Sequence, residues 1–185
     1  MVTAKKTKKR ILIALSGGVD SAVSAALLVR AGYDVTGVFV INYEGKNTYG
    51  EDCWVPEFRD AVRVAAHLNI PILKWNFARE YKEQVLEYMF REYESGRTPN
   101  PDVLCNKFVK FGAWLDRAVE LGYDALATGH YAKKIEKNGI FSLGIPKDRV
   151  KDQTYFLHQL SQNQLARVQF PLASYTKTQV RSEEH

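Results

Sequence analysis

The sequence predicts an α/β fold in which a parallel sheet carries helices on both faces. Three observations point there. Hydrophobic strand-like runs alternate with segments whose apolar residues recur at helical spacing, the pattern of repeated βα units. The first run passes through paired glycines straight into a helix. The chain's 185 residues, 45% hydrophobic and 12% aromatic, suffice for one sizeable core and not comfortably for two.

Arg10 to Leu15 is the first expected strand, and Asp20 to Arg30, rich in Ala, Val and Leu and closed by Gly32, the first helix. Val35 to Ile41 follows as a strand. Glu57 to Leu68 sets Phe58, Ala61, Val62, Ala65, Ala66 and Leu68 at helical spacing, and the chain restarts around Pro71 as a strand from Ile70 to Trp75. Ala78 to Tyr93 is a longer amphipathic helix stopped at Gly96. Beyond RTPNPDVLC, Asn106 is the expected N-cap of a helix reaching Leu121. Asp124 to Thr128 reads as a buried strand, KKIEKNGIFSLG as a hairpin turning at Asn138-Gly139, and Asp152 to Arg181 as helical with a break at Pro171.

Charge is concentrated at one end. Lys5, Lys6, Lys8, Lys9 and Arg10 are five of the 26 basic residues, leaving 21 basic against 21 acidic from residue 11 onward. Residues 1–9 are therefore expected to be a basic flexible tail, solvated or touching nucleic-acid phosphates, on a neutral body. Cys53 and Cys105 stand far apart in unlike contexts, which argues against a disulfide framework and suits a reducing compartment. No apolar run approaches the ~20 residues of a bilayer span, and no signal-peptide pattern follows the lysines. A cytoplasmic protein without a membrane partner is the expectation.

In ILIALSGGVDSAV, residues 11–23, a strand, small residues and a helix start follow one another. Backbone N–H groups can then approach phosphate oxygens, and the helix dipole favours their charge. Neither G-x-x-x-x-G-K-[ST] nor G-x-G-x-x-G is present. SGGVDS, with Ser16, Gly17, Gly18, Asp20 and Ser21, resembles instead the pyrophosphate loop of enzymes that split ATP between its α and β phosphates. That resemblance implies that the serines and amides hold the leaving pyrophosphate while Asp20 helps to place Mg2+. An ordinary tight turn with a serine cap would explain the glycines but not the Ser/Asp/Ser pattern.

The second informative stretch is GRTPNPDVLCNKFVKFG, residues 96–112. Two prolines around Asn100 make a stiff, extended loop, and Asp102 precedes Cys105 by three residues at the mouth of a helix. A cysteine near a helix N-terminus gains thiolate character, so a nucleophilic sulfur belongs there. A buried structural thiol is the alternative reading of a lone cysteine, and the proline-framed loop with Asp102 shifts the balance toward chemistry.

TPNPDVLCNKFVKF is similar to the signature of the tRNA-specific 2-thiouridylases, which put sulfur on C2 of the wobble uridine of tRNA. GVFVINYE, ALATGHYAK and KDQTYFLHQLSQNQL match the same family in order, and the resemblance covers nearly all of residues 10–181. It implies an adenine nucleotide alpha hydrolase-like, Rossmann-like ATP-pyrophosphatase domain over residues 10–185. It further implies ATP contacts from Ala14, Leu15, Ser16, Gly17, Gly18, Val19, Asp20 and Ser21, with Val40 and Gly129 farther along the sheet. Asn100, Pro101 and Asp102 would meet the target base, Cys105 would be the nucleophile with Asp102 as base or orienting group, and Lys151, Asp152 and Gln153 would contact tRNA. ATP and Mg2+ are the implied cofactors; tRNA and a separate persulfide donor protein are the implied partners.

In the implied reaction uracil O2 attacks the α-phosphate of ATP, and sulfur then displaces AMP. His130 reads as a hydrogen-bonded structural residue, Tyr155 and Phe156 as core, and Cys53 as structural or adventitious. The family generally adds a second, persulfide-bearing cysteine, a small central domain and a β-barrel. This sequence reads as a fragment without them, expected to bind ATP but not to complete thiolation. Asp102 and Cys105 alone do not make the iron-sulfur site suggested for some relatives, so no resident metal is expected. Two other classes share the loop: an ATP-pyrophosphatase forming an amide or amine, with no use for Cys105, and a non-catalytic tRNA-binding or sulfur-relay module.

Overall fold

The computed structural model describes residues 8–183; residues 1–7 of the expected basic tail lie outside them. The strands are β1 (Arg10–Ala14), β2 (Asp34–Ile41), β3 (Ile72–Asn76), β4 (Ala125–Ala127), β5 (Lys133–Lys137), β6 (Ile140–Gly144) and β7 (Val168–Gln169). Five of them pair in parallel in the order β3-β2-β1-β4-β7, while β5 and β6 form a separate antiparallel hairpin. The helices are α1 (Val19–Arg30), α2 (Val55–His67), α3 over residues 78–94, α4 over residues 101–120, α5 (Gln162–Ala166) and α6 (Lys177–Glu183).

Side chains alternate across a strand, so the two faces of this sheet bury different sets. Ile11, Ile13, Val35, Phe39, Ala125 and Ala127 pack with Ala25 and Leu28 of α1 and Ala61 and Ala65 of α2. Leu12, Val38, Leu126 and Val168 face the other way, onto Val85 of α3 and Val109, Phe111, Trp114 and Leu115 of α4. Burying each large aliphatic side chain stabilises the fold by roughly 1.5–3 kcal/mol, and this doubly covered sheet supplies most of them. The expected α/β architecture is therefore the one formed.

The ends of the elements differ in instructive ways. Helix α4 begins at Pro101, not after Asn106: Asn100 is the cap, its Oδ1 accepting the Val103 N–H at 3.4 Å. Proline suits the first helical position because the N–H it lacks would have no partner there. Asn106 is buried and donates from Nδ2 to the Phe156 carbonyl instead. Both long helices widen into π geometry, α3 at Lys82–Leu86 and α4 at Cys105–Trp114. The C-terminal part is not continuously helical. It holds a 3-10 turn (Thr154–Phe156), α5, the short strand β7, a second 3-10 turn (Pro171–Ser174) and α6. The hairpin turns as expected, with Asn138 and Gly139 at φ of 52° and 76°.

β1 sits between β2 and β4, and the chain leaves it in one direction for β2 and returns from the other for β4. That reversal opens a crevice at the carboxyl ends of β1 and β4, where parallel sheets bind ligands.

Candidate functional site

A cleft of about 530 Å³ occupies that crevice. Of the residues the sequence singles out, Ala14, Leu15, Ser16, Asp20, Ser21, Val40, Gly129 and Gln153 line it. Gly17, Gly18 and Val19 shape the loop without lining the cleft. Asn100, Pro101, Asp102, Cys105, Lys151 and Asp152 lie outside its wall.

The loop between β1 and α1 is organised by its own hydroxyls. Ser21 Oγ donates to the Gly18 carbonyl at 2.8 Å, accepts the Ser16 N–H at 3.2 Å and sits 3.3 Å from Ser16 Oγ. Gly17 has φ of 80°, and a Cβ there would fall 2.7 Å from the Glu57 carbonyl. Gly129, just beyond β4, touches the loop from the other side: a Cβ would lie 3.0 Å from Asp20 C and Ser21 N. Both glycines are thus required by close approach of backbone to backbone, which a side chain would wedge apart.

Asp20 is held by groups from distant parts of the chain. Its Oδ1 accepts from Lys177 Nζ at 2.6 Å and Tyr131 Oη at 2.9 Å, and its carbonyl accepts from Ser24 Oγ at 2.7 Å. Burial, then the hydrogen bond to Asp20, raises the Tyr131 phenol well above its ordinary range, so it remains a donor. Gly129 leads into His130, whose Nδ1 is 2.8 Å from Thr128 Oγ1 and whose ring packs between Phe111 and Phe170. Burial, aided by the Lys110 ammonium, pushes the His130 imidazolium down to about 3 and leaves the ring neutral at pH 7. That matches the structural role expected for it, although the ring also borders the cleft.

Helix α4 carries the cysteine and also forms the facing wall. Asp102 is exposed on its first turn and Cys105 is buried beneath, beside Tyr81. The expected helix-end activation of Cys105 is not what the structure shows: burial pushes the thiol up, outweighing the downward pull of Lys110, while Asp102 pushes the same way as burial. Packing defeats the dipole here because the residue lies inside the core cluster rather than at an open helix end.

Residues 151–153 are assembled locally. Asp152 Oδ1 accepts from the Thr154 N–H at 2.9 Å and its hydroxyl at 2.7 Å, capping the 3-10 turn. Gln153 bonds Tyr131 twice, through its N–H to the carbonyl and through Oε1 to the N–H, both at 2.9 Å. Lys151 is exposed. Tyr155, expected in the core, is 58% exposed, its ring tilted 35° to that of Phe156 with centroids 3.9 Å apart, close in sequence to residues 151–153.

Among the further cleft-lining residues that sequence reasoning left unassigned or set aside are Asn42, Cys53, Trp54, Lys110 and Trp114. Lys110 and Trp114 follow Cys105 in α4, and their facing is legible only once the helix start and its widening are known. Among the described residues no group of three or more His, Cys, Asp or Glu side chains forms a metal-binding cluster, and no helix is long and apolar enough to cross a membrane.

Comparison with known proteins bears on this arrangement. The chain is 50% identical over 173 residues to the tRNA-specific 2-thiouridylase MnmA of Lactobacillus gasseri, covering 93% of the chain and 46% of that protein. The MnmA of Streptococcus equi subsp. zooepidemicus is 48% identical over 177 residues, 95% of the chain and 47% of the relative. The chain thus spans about half the length of the curated relatives it matches. Two solved structures share the fold. A predicted subunit of tRNA methyltransferase from Methanocaldococcus jannaschii superposes with TM-score 0.56 at 18% identity, over 95% of this chain and 73% of that one. The U34-tRNA thiolase NcsA of Methanococcus maripaludis, with its [4Fe-4S] cluster, superposes with TM-score 0.55 at 17% identity, over 96% and 56%. The family described as tRNA methyl transferase HUP domain matches residues 9–185, and the chain belongs to it.

Proposed function

We propose that the longer protein carrying this chain replaces O2 of the wobble uridine of tRNA with sulfur, and that the described residues form its ATP-pyrophosphatase domain. One observation carries the reading. Helix α4, which bears Asp102 and Cys105 at its start, is also the helix whose Lys110 and Trp114 line the cleft together with Ser16, Asp20 and Ser21 of the SGGVDS loop. A nucleotide-activating loop and a thiol are thereby tied to one rigid element.

In this reading ATP lies in the cleft with its terminal phosphates against Ser16, Ser21 and the loop amides, and its base toward Val40. Uracil O2 attacks the α-phosphorus, the bond to the bridging oxygen breaks, and pyrophosphate leaves with the electron pair. Asp102, exposed and one helical turn from Cys105, accepts or orients the uracil N3 proton. The terminal sulfur of a cysteine persulfide on the longer protein, loaded by a separate donor protein, then attacks C2 and AMP departs. Cys105 finally takes that cysteine's inner sulfur as a disulfide and releases the thiocarbonyl. Asn100, Pro101 and Asp102 receive the base, and Lys151, Asp152 and Gln153 the tRNA around it.

Mg2+ fits this site. Asp20 Oδ1 is taken by Lys177 and Tyr131, but Oδ2 has no partner among the described residues, and Glu57 also borders the cleft. One or two carboxylates beside substrate phosphates are what this ion uses. When bound it neutralises charge on the phosphates.

The test is mass spectrometry of the wobble nucleoside after the longer protein, or its Cys105→Ser form, is incubated with unmodified tRNA, ATP and a persulfide donor. Thiouridine is expected from the first protein and not the second. Nucleotide cleavage that is equal in the two forms and yields no thiouridine would favour a ligase that makes no use of the thiol, and absence of nucleotide cleavage a non-catalytic module.

A further inference from the structure

Two donors on the cleft wall have nothing to bind. Trp114 is 5% exposed, its Nε1 is buried without a hydrogen-bond partner, and its side chain borders the cleft. An orphaned indole N–H costs roughly 1–3 kcal/mol when no ligand satisfies it. Lys110, four residues before it in the π segment of α4, also borders the cleft and makes no ion pair with any described residue. A half-buried ammonium that borders an opening and has no carboxylate partner among the described residues calls for an anion.

The place of that anion follows from what surrounds Lys110. Its charge reaches both Cys105 and His130, and it lines the same cleft as His130, Gly129, Asp20 and Ser21, where Gly129 touches the Asp20-Ser21 backbone. Lys110 thus neighbours the thiol and borders the cleft that the loop lines. If the loop holds the departing pyrophosphate, the phosphoryl nearest Lys110 is the one on which the bond changes occur.

We infer that Lys110 and Trp114 form a second anion-binding pair in the cleft, donating to the non-bridging oxygens of the nucleotide's α-phosphoryl group. The inference rests on the nucleotide reading of the cleft. Lys110 supplies the charge, and Trp114 Nε1–H a fixed direction. Because the same oxygens persist in the adenylated base, the pair serves both formation of that intermediate and departure of AMP. With His130 neutral, Lys110 is the only cation lining the cleft among the described residues.

Calorimetric titration of the protein and its variants with ATP, AMP and adenosine tests the assignment. Lys110→Met is expected to weaken ATP and AMP by roughly ten- to hundredfold, the scale of one charged hydrogen bond, and adenosine by less than about twofold. Lys110→Arg is expected to regain most of that loss, and Trp114→Phe, which keeps the ring and removes the N–H, to weaken both phosphates by several-fold. A Lys110→Met protein that binds ATP as the wild type does would overturn the inference. So would loss of ATP with AMP unaffected, which would move Lys110 to the outer phosphates, or an equal loss of adenosine. Wild-type protein that binds no ATP would instead overturn the nucleotide reading on which the inference stands.

Discussion

Lys177 Nζ lies 2.6 Å from Asp20 Oδ1, joining the first turn of α6 to the first turn of α1 across 157 positions of sequence. Tyr131 completes the junction from the segment after β4. The helix α6 is itself seated by Asp148, whose Oδ2 accepts the Lys177 N–H at 2.8 Å while Oδ1 accepts from Val150 and Lys151. Three separate stretches thereby fix the carboxylate within the SGGVDS loop.

Removing the cation should cost stability that a surface pair would not. Both partners are partly shielded, with side-chain exposures of 22% and 36%, whereas Arg63 and Asp60 are 78% and 52% exposed. Lys177→Met is expected to lower unfolding free energy in urea by about 1–2 kcal/mol and Arg63→Met by less than about 0.5 kcal/mol. Equal effects would show that the junction contributes nothing beyond an ordinary surface pair.

The glycines of the loop should separate by what lies around them. Gly17→Ala meets the Glu57 carbonyl at 2.7 Å from a left-handed backbone, while at Gly18 a Cβ finds only Ser16 Oγ, at 3.5 Å. The first is expected to cost roughly 1–3 kcal/mol and the second under about 1 kcal/mol in thermal or chemical denaturation. Gly129→Ala pushes on Asp20 and Ser21 backbone, so its expected signature is weaker nucleotide binding out of proportion to any fall in Tm.

His130 gives the fold an acid-sensitive element. Its folded pKa of about 3 lies below the ordinary value of 6.5, so between these limits the unfolded chain binds the proton and the folded one does not. Its contribution is complete above pH 6.5 and is lost as pH falls, with a slope of about 1.4 kcal/mol per pH unit. His130→Asn, which can keep a partner for Thr128, is expected to flatten stability between pH 6.5 and 4.5 relative to the wild type. Parallel curves for the two proteins would contradict this.

The two cysteines should react in a set order. Cys53 is partly exposed on the cleft rim and Cys105 is buried with its thiol pushed up. Iodoacetamide at pH 7.5 followed by peptide mass spectrometry is expected to modify Cys53 first, and Cys105 at a comparable rate only in denaturant. Lys110→Met should slow Cys105 alkylation further, because it removes the group that lowers the thiol.

What could be read from the chain and what could not divide along physical lines. The strand from Arg10, the glycine turn and the helix after it are local, each specified by its own apolar run and small residues. Strand β7 was hidden because two residues, Val168 and Gln169, carry no periodicity; their strand character comes from pairing with Leu126 and Ala127. The start of α4 was misread because Asn100-Pro101 suits both a stiff loop and a capped helix. The raised Cys105 thiol was out of reach for a different reason, since the helix dipole is a local property and burial is a tertiary one. Lys110 and Trp114 were missed with it, as their direction depends on where α4 starts and on its π segment.

The central claim is that this cleft positions ATP for cleavage between its α and β phosphates, driven by a tRNA base. Its most direct test is to incubate the longer protein with α-labelled ATP and unmodified tRNA and to separate the labelled products. The account predicts AMP, formed in step with pyrophosphate and with thiouridine when a persulfide donor is present, and little product without tRNA. Labelled ADP as the principal product, or AMP formed at the same rate with no tRNA, would contradict it.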